Sequence, residues 1–412
     1  MSQTSTGRWM AVVRATLLAL AFGALPAAQA ATEVTVWHAY RGDEKTAFEK
    51  VVGLYNASQK NVVVKPLAVP YDAYADKISA SIPRGKGPDV FIFAQDRLGG
   101  WVEAGQTIEP IDFFLDDKVR NSLVPGMMAA MTYRDTAYGL PLNYKSITMI
   151  YNTALVKTPP KTSGELVKVA KALTDKATGR FGLAYEYSNF FFHAALMNAF
   201  GGQVFATGAK PTIDAAPNVA AAKQMLKWYK QDGLLPADPS SSLISSLFNE
   251  GKAAIVFSGP WFLGEVAHTV KYAIAPLPTV DEAGGKPMRP WLTVEGVYVS
   301  AGSKAKDAAY KFAEFLVSRD AALVLALEGG QLPTNKAVYD DARVAKNPTL
   351  AAFRKQLDTA VVMPNYAEMT LMWSPVTTAM NKIVKGAATP EVAFGEAQAT
   401  VVESIGKLRK GR

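Results

Sequence analysis

The sequence predicts an α/β protein of two lobes, and three observations carry that expectation. At 412 residues the chain is long enough for two hydrophobic cores. Residues 34–93 alternate strand-like and helix-like segments in the order βαβαβ. A second series of such segments follows an extended run at 138–152, where Pro141 and the polar residues 143–146 would interrupt a continuous central strand. That run reads as a strand leaving one lobe and entering the other.

The elements follow in order. Residues 1–30 read as a signal peptide: Arg8 and Arg14 give a positive start, Ala15 to Leu25 is a short apolar core, and Ala28-Gln29-Ala30 is a cleavage site. The mature chain is expected to begin at Ala31. Val34–Trp37 alternates as a first strand. Asp43–Tyr55 has helical spacing, with Phe48, Val51, Val52 and Tyr55 on one face. Asn61–Lys65 is a second strand, Tyr71–Ile82 a second helix, and Asp89–Phe93 a third strand after the Gly87-Pro88 turn. This order implies a parallel sheet with right-handed crossovers.

In the second lobe, Thr162-Ser-Gly-Glu165 is a capping box opening a helix. Asn218–Asp232 is a helix closed by Gly233, and Ser242–Glu250 one closed by Gly251. Ala253–Phe257 is a strand that turns at Ser258-Gly-Pro-Trp261 into a further helix. Trp291–Ser300 is a strand, and Ser303 is expected to cap a helix over 304–317. The rest is helical: 319–327 up to Gly329-Gly330, then 350–357, 369–384 and 390–407, the last capped by Thr389 with Pro390 in its first turn.

Composition narrows the function. There is no cysteine, which excludes disulfides, thiolate metal sites and lipid attachment through a cysteine. An exported chain without a lipid anchor suits a periplasm. The net charge of +8, or +6 once Arg8 and Arg14 leave with the leader, is scattered, so no nucleic-acid footprint is expected. The three histidines, His38, His193 and His268, have no metal-ligand spacing, and no nucleophile elbow or phosphate-cradling glycine loop occurs. A carboxylate pair of the glycosidase type has no motif to mark it.

Two kinds of residue point to a ligand instead. Asp96 and Arg97 stand at the C-terminal end of the third strand, where open α/β sheets bind ligands. Taken alone, the pair reads equally as a solvated surface pair. The aromatics Trp261, Trp373 and Phe190-Phe191-Phe192 lie next to turns and polar side chains. Such rings suit sugars, whose C–H faces stack while their hydroxyls seek carboxylate, guanidinium and amide partners. Core packing is the other reading of each ring, and at least one of the three phenylalanines must be core.

Taken together, the residues resemble the extracellular solute-binding proteins of ABC importers, in the sugar-binding family that includes the maltose/maltodextrin-binding proteins. The carriers are Gly87-Pro88-Asp89 with Asp96-Arg97-Leu-Gly-Gly100, Leu140-Pro141 to Ile150-Tyr151-Asn152, and Pro159-Pro160-Lys161-Thr162. Phe248-Asn-Glu-Gly-Lys-Ala-Ala254, Gly259-Pro260-Trp261, and Met363-Pro364-Asn365 with Trp373 complete them. The resemblance implies a two-lobed periplasmic-binding-protein fold with a hinge and an interlobe ligand cleft. The N-terminal lobe would comprise 31–142 and 291–330, and the C-terminal lobe 143–290 and 331–412. Hinge crossings would lie near Leu140–Tyr144, Pro276–Trp291 and Gly329–Pro333.

It also implies an oligosaccharide ligand, a membrane permease as partner, and a monomer that is no enzyme and needs no cofactor. By position, Asp96 and Arg97 match the first lobe's hydrogen-bonding pair, Trp261 and Trp373 match stacking rings, and Phe191 replaces a stacking tyrosine. Phe93 stands where the family has a tryptophan, and Lys145 and Asn189 stand where it has cleft glutamates. In the loop after Trp37, Arg41, Asp43 and Glu44 are candidates for a further contact. A glucose-containing α-linked oligosaccharide is the expected ligand. Another sugar or a glycerol phosphate ester, which Arg41, Arg97 and Lys145 would serve, is the alternative.

Overall fold

The computed structural model describes residues 31–410 except 125 and 238. The proposed leader and its cleavage site lie outside the described residues.

In the first lobe, β1 (Thr32–His38), α1 (Gly42–Ser58), β2 (Val62–Ala68), α2 (Tyr71–Ser81) and β3 (Val90–Ala94) form as the pattern expects. β1 pairs in parallel with β2 on one side and with β3 on the other. A short helix, α3 (Leu98–Ala104), follows β3. Here the wholly parallel expectation gives way. β9 (Trp291–Val299), which arrives from far along the chain, pairs antiparallel with β3, and β4 (Gly139–Lys145) pairs antiparallel with β9. Pro141 is tolerated inside β4 because the β4–β9 register shifts between Glu295 and Gly296, opposite it.

β4 ends at Lys145, and β5 (Thr148–Asn152) opens the smaller sheet, so the broken run at 138–152 does change sheets. There follow α4 (Ser163–Leu173), β6 (Phe181–Ala184), α5 (Phe190–Ala199), α6 (Ala216–Leu226), α7 (Ser241–Asn249), β7 (Ala253–Ser258), α8 (Pro260–Leu263) and β8 (Tyr272–Ala275). The smaller sheet runs β8-β5-β7-β6. Thr162 caps α4 as expected, its hydroxyl accepting from the Glu165 amide at 3.2 Å, while the Glu165 carboxylate reaches back to the Lys161 amide at 2.7 Å.

The helix expected over 218–232 is α-helical only to Leu226 and then widens into a π-helical turn, Lys227–Gln231, before Gly233 closes it at φ +67°. Ser303 does not cap the helix α9 (Lys306–Leu316), which has no side-chain cap. Its hydroxyl accepts from the Ala305 amide at 3.1 Å, in the turn just ahead of the helix, and donates to Asp89 at 2.7 Å, and Asp89 also accepts from the Thr35 amide and hydroxyl. Asp89 therefore ties the entry of β3 to β1.

After α10 (Arg319–Gly329) the chain stays with the larger sheet. β10 (Leu332–Pro333) pairs with Tyr144 and Asn143, giving the order β10-β4-β9-β3-β1-β2. Val338, Val344, Leu350 and Phe353 then bury with Trp37, Phe91 and Tyr298. Residues 331–345 thus pack largely on the first lobe, contrary to the division expected at 330, because their apolar side chains fill the open face of that sheet, whereas Gln356 accepts from the Leu277 amide of the second lobe at 2.7 Å. The helix α11 (Pro348–Gln356) follows this stretch. β11 (Val361–Val362) adds to the start of β9, and α12 (Met369–Lys385) and α13 (Pro390–Lys410) bury Met369, Met372, Val376, Phe394 and Val401 in the second lobe's core. Each lobe thus carries its own core, which lets the two move as bodies.

Candidate functional site

The strand ends of the two sheets face each other across a cleft, and the polar and aromatic residues gather there. On the first lobe, β3 runs into a tight turn, Gln95–Arg97. Gln95 is fully buried and locks that turn: its amide donates to the Met363 carbonyl at 3.1 Å and accepts from the Val294 amide at 2.8 Å. Gly99 and Gly100 follow. A Cβ on Gly99 would stand 2.5 Å from the Asn365 carbonyl oxygen, so the chain at 365–370 can lie against α3 only because these positions are bare.

This arrangement presents Asp96. Its Oδ2 accepts from the Trp373 indole N–H at 2.9 Å and lies 3.3 Å from Arg97 Nε. The Arg97 guanidinium in turn sits 5.8 Å from the centre of the Trp373 ring. Burial pushes the Asp96 carboxyl up to about 6, against the opposing pull of Arg97 and the Trp373 bond. The first lobe's ion pair and the second lobe's ring therefore meet.

A second cluster lies where β4 and β9 leave the larger sheet. Lys145 Nζ is 2.8 Å from Glu44 Oε1 and 3.3 Å from Glu295 Oε2. It also lies 5.1 Å from the Tyr40 ring centre and 5.8 Å from that of Trp261 on the other lobe. Tyr40 donates to Glu295 at 2.9 Å, and Asn143 donates to both Tyr40 and Gln331. Burial alone would lower the Lys145 pKa, but Glu295 and Glu44 override it and the net direction is up. Glu44 is also held above its usual range, because burial and Glu295 outweigh Lys145. Two carboxylates share one ammonium, so this buried cluster holds an excess of negative charge.

The second lobe supplies the rings. Asn189 caps α5, its side chain accepting from the Phe191 amide at 3.0 Å, and its own amide reaches Glu186 at 3.4 Å. Phe190 and Phe192 are core, and Phe191 is the one of the three left half-buried. Gly259-Pro260 starts the short helix α8 and holds Trp261, whose ring centre is 6.1 Å from that of Phe191. Trp291 joins Phe191 to Trp373 at 6.3 and 5.9 Å.

Arg41 crosses the cleft, with Nε 2.6 Å from Glu265 Oε1 and the guanidinium donating to Ser241 at 3.3 Å. Beside it Gly42, at φ +52°, approaches Gly264 so closely that a Cβ would lie 2.5 Å from the Gly264 carbonyl oxygen. The two lobes are in contact. Glu186 is pushed up to about 7, chiefly by burial, with the charge of Asp72 across the cleft adding to the shift and Arg41 opposing it.

Among the residues singled out, Phe93 is packed into the first lobe's core. It is 5% exposed and packed between Trp101 and Tyr74, with Tyr71 stacked over it at 5.8 Å and 5°. Tyr71 is 61% exposed and offers the ring that Phe93 does not. Sequence reasoning passed over Tyr40, Tyr71, Glu186, Glu265, Trp291 and Glu295. Tyr40, Tyr71 and Glu186 each lie two or three residues past a strand end, so the rule that pointed to Asp96 also points to them. Among the described residues no group of three or more acidic or histidine side chains is placed to hold a metal, and no helix is long and apolar enough to cross a membrane.

Known proteins share this architecture. The Thermus thermophilus maltotriose-binding protein superposes with a TM-score of 0.82 at 26% identity, covering 90% of this chain and 100% of that one. A maltotriose-binding protein of Pyrococcus abyssi is 31% identical over 86% of this chain and 78% of its own length. A galactooligosaccharide-binding protein of Bacillus subtilis is 28% identical over 90% and 87%. Residues 50–352 match the family model described as bacterial extracellular solute-binding protein. That span covers more than half of the chain, and with the 31% relative it establishes that the chain belongs to the bacterial extracellular solute-binding proteins.

Proposed function

We propose that the protein is the extracytoplasmic receptor of an ABC sugar importer, taking a maltose- or maltodextrin-type oligosaccharide into the interlobe cleft and passing it to a membrane permease. One observation carries the reading: the Asp96–Arg97 pair of one lobe meets Trp373 of the other at 2.9 Å, beside Trp261 and Phe191. Hydrogen-bonding groups and stacking faces on opposite walls suit a sugar, and only closure lets a ligand use both. In this reading Asp96 and Arg97 bind hydroxyls, Trp261, Trp373 and Phe191 stack on rings, and Tyr71 stands in for Phe93. Arg41, Glu44, Asn189 and Lys145 shape the polar rim. The lobe boundaries at 142/143 and 290/291 belong to the same proposal. So do export behind a leader cleaved after Ala30, periplasmic residence as a monomer without nucleic-acid partners, and the absence of a lipid anchor.

A phosphate ester is the weaker reading. Each cation that would serve it is already paired: Arg41 with Glu265, Arg97 with Asp96, and Lys145 with Glu44 and Glu295. A different oligosaccharide is the stronger rival, given the galactooligosaccharide-binding relative. Intrinsic fluorescence titrations with maltotriose, a galacto-oligosaccharide and glycerol 3-phosphate separate the three. Trp261→Ala should weaken maltotriose binding by roughly 1–3 kcal/mol, by analogy with other stacking contacts. Wild-type affinity for maltotriose in both Trp261→Ala and Asp96→Ala would remove the site assignment.

A further inference from the structure

The second lobe carries a recess of about 410 Å3 that the interlobe site does not use, lined by Ser188, Tyr229, Ala237, Pro239, Ser240, Asn381, Val384 and Lys385. Its volume falls in the range of small-ligand pockets. It borders the cleft at two points of the chain. Ser188 precedes Asn189, the cap of α5, and Ser240 precedes Ser241, which accepts from Arg41 at 3.3 Å. Consecutive Cα atoms are about 3.8 Å apart, so the rim of the recess begins one residue from the cleft.

Four polar groups of the lining are uncommitted. The Ser188 hydroxyl, the Tyr229 hydroxyl, the Asn381 amide and the Lys385 ammonium make no hydrogen bond or ion pair with any described residue. Tyr229 arrives there on the π-helical turn Lys227–Gln231, a local widening that accumulates at functional sites. Its ring is braced from behind by Tyr187 at 5.1 Å, which is itself fully buried. A half-buried ring with a hydroxyl, an amide and an ammonium around it repeats, on a smaller scale, the chemistry of the cleft.

We infer that this recess is an outer subsite that receives a further pyranose unit of an uncharged oligosaccharide too long for the cleft, stacked on Tyr229 and hydrogen-bonded by Asn381 and Ser188. The inference rests on the oligosaccharide reading above. It makes affinity depend on chain length through residues that a short ligand never touches.

The test is calorimetric titration of the wild type, Tyr229→Ala and Asn381→Ala with maltotriose and with maltohexaose, with thermal unfolding as the folding control. The wild type should bind maltohexaose more tightly than maltotriose. Tyr229→Ala should lose about 5- to 100-fold for maltohexaose, the range of stacking contacts, and less than twofold for maltotriose. Asn381→Ala, on the exposed rim and without packing of its own, should show the same selectivity with a smaller loss. Equal losses for both sugars, or none for either, would overturn the subsite while leaving the cleft assignment standing. Absence of binding of both sugars by the wild type would instead defeat the oligosaccharide reading, and the subsite with it.

Discussion

Replacing Lys145 by methionine should destabilise the protein in a pH-dependent way. The ammonium is 2.8 Å from Glu44 and 3.3 Å from Glu295, with side chains 10%, 3% and 14% exposed. Removing one partner of a buried ionic cluster costs about 3–5 kcal/mol, because the charges left behind have neither water nor a counter-ion. Over the folded stretch 31–410 the unfolding entropy is roughly 0.8 kcal/mol/K, so the midpoint should fall by about 4–6 °C. The sign with pH follows from Glu44, whose pKa in the folded protein is already raised and would rise further without Lys145. A carboxyl with a raised native pKa binds more protons folded than unfolded. Its penalty is therefore absent at low pH and grows as pH climbs from the unfolded value to the native one. Scanning calorimetry at pH 8 and pH 5 reads this: the deficit of Lys145→Met should be largest at pH 8 and shrink by half or more at pH 5. Adding Glu44→Gln should restore most of it at pH 8, since two carboxylates no longer face each other. A deficit under 1 °C at pH 8, or one that does not change with pH, would refute the account of Lys145 as the shared counter-ion.

Two further outcomes test other parts of the cleft. Gly42→Ala should impair closure more than folding: its φ of +52° costs an alanine about 1 kcal/mol, and the new Cβ would sit 2.5 Å from the Gly264 carbonyl oxygen in the contacted lobes. Affinity for maltotriose should drop at least about tenfold by the same reasoning, and ligand-induced compaction in small-angle scattering should be lost; unchanged compaction would show that this contact does not limit closure. Asp96→Asn should gain stability over the wild type as pH rises from about 4 to about 6 and keep a constant lead above that. The wild-type carboxyl, with a native pKa near 6, must lose its proton against burial over that window, whereas the amide never does. The lead is on the order of 2–3 kcal/mol at most, and unfolding midpoints across pH 4–8 that run parallel for the two proteins would exclude it.

Much of the fold was legible because it rests on local periodicity. Phe48, Val51, Val52 and Tyr55 bury on one face of α1 as their spacing requires, and the broken run at 138–152 changes sheets where Pro141 and the polar residues after it make a continuous strand untenable. The errors fall where distant parts of the chain compete for one surface. The antiparallel insertion of β9 beside β3, and the packing of Val338 and Val344 with Trp37 and Phe91, are set by partners 200 or more residues away. Ser303 misled more narrowly: its oxygen does accept from the Ala305 amide, but the helix begins only at Lys306, and the bond it donates to Asp89, far away in the chain, is recorded by no local pattern.

The site divides along the same line. Asp96, Arg97 and Trp261 were legible because a strand end or a Gly-Pro turn fixes where they point. Glu295 was not, since it lies inside β9 and enters the Lys145 cluster only because the register shifts beside it. That cluster also decides how Lys145 should be understood. Resemblance suggests a cation facing the ligand, yet the ammonium is bound by two carboxylates and sits over Tyr40 and near Trp261. Its contact with Trp261 joins the crossing strands of the hinge to the ring wall of the other lobe. In the proposed site, a ligand stacking on Trp261 would meet an indole held near the hinge when the lobes are in contact. This gives the ligand a differential hold on that state, which is the physical requirement for binding to drive closure.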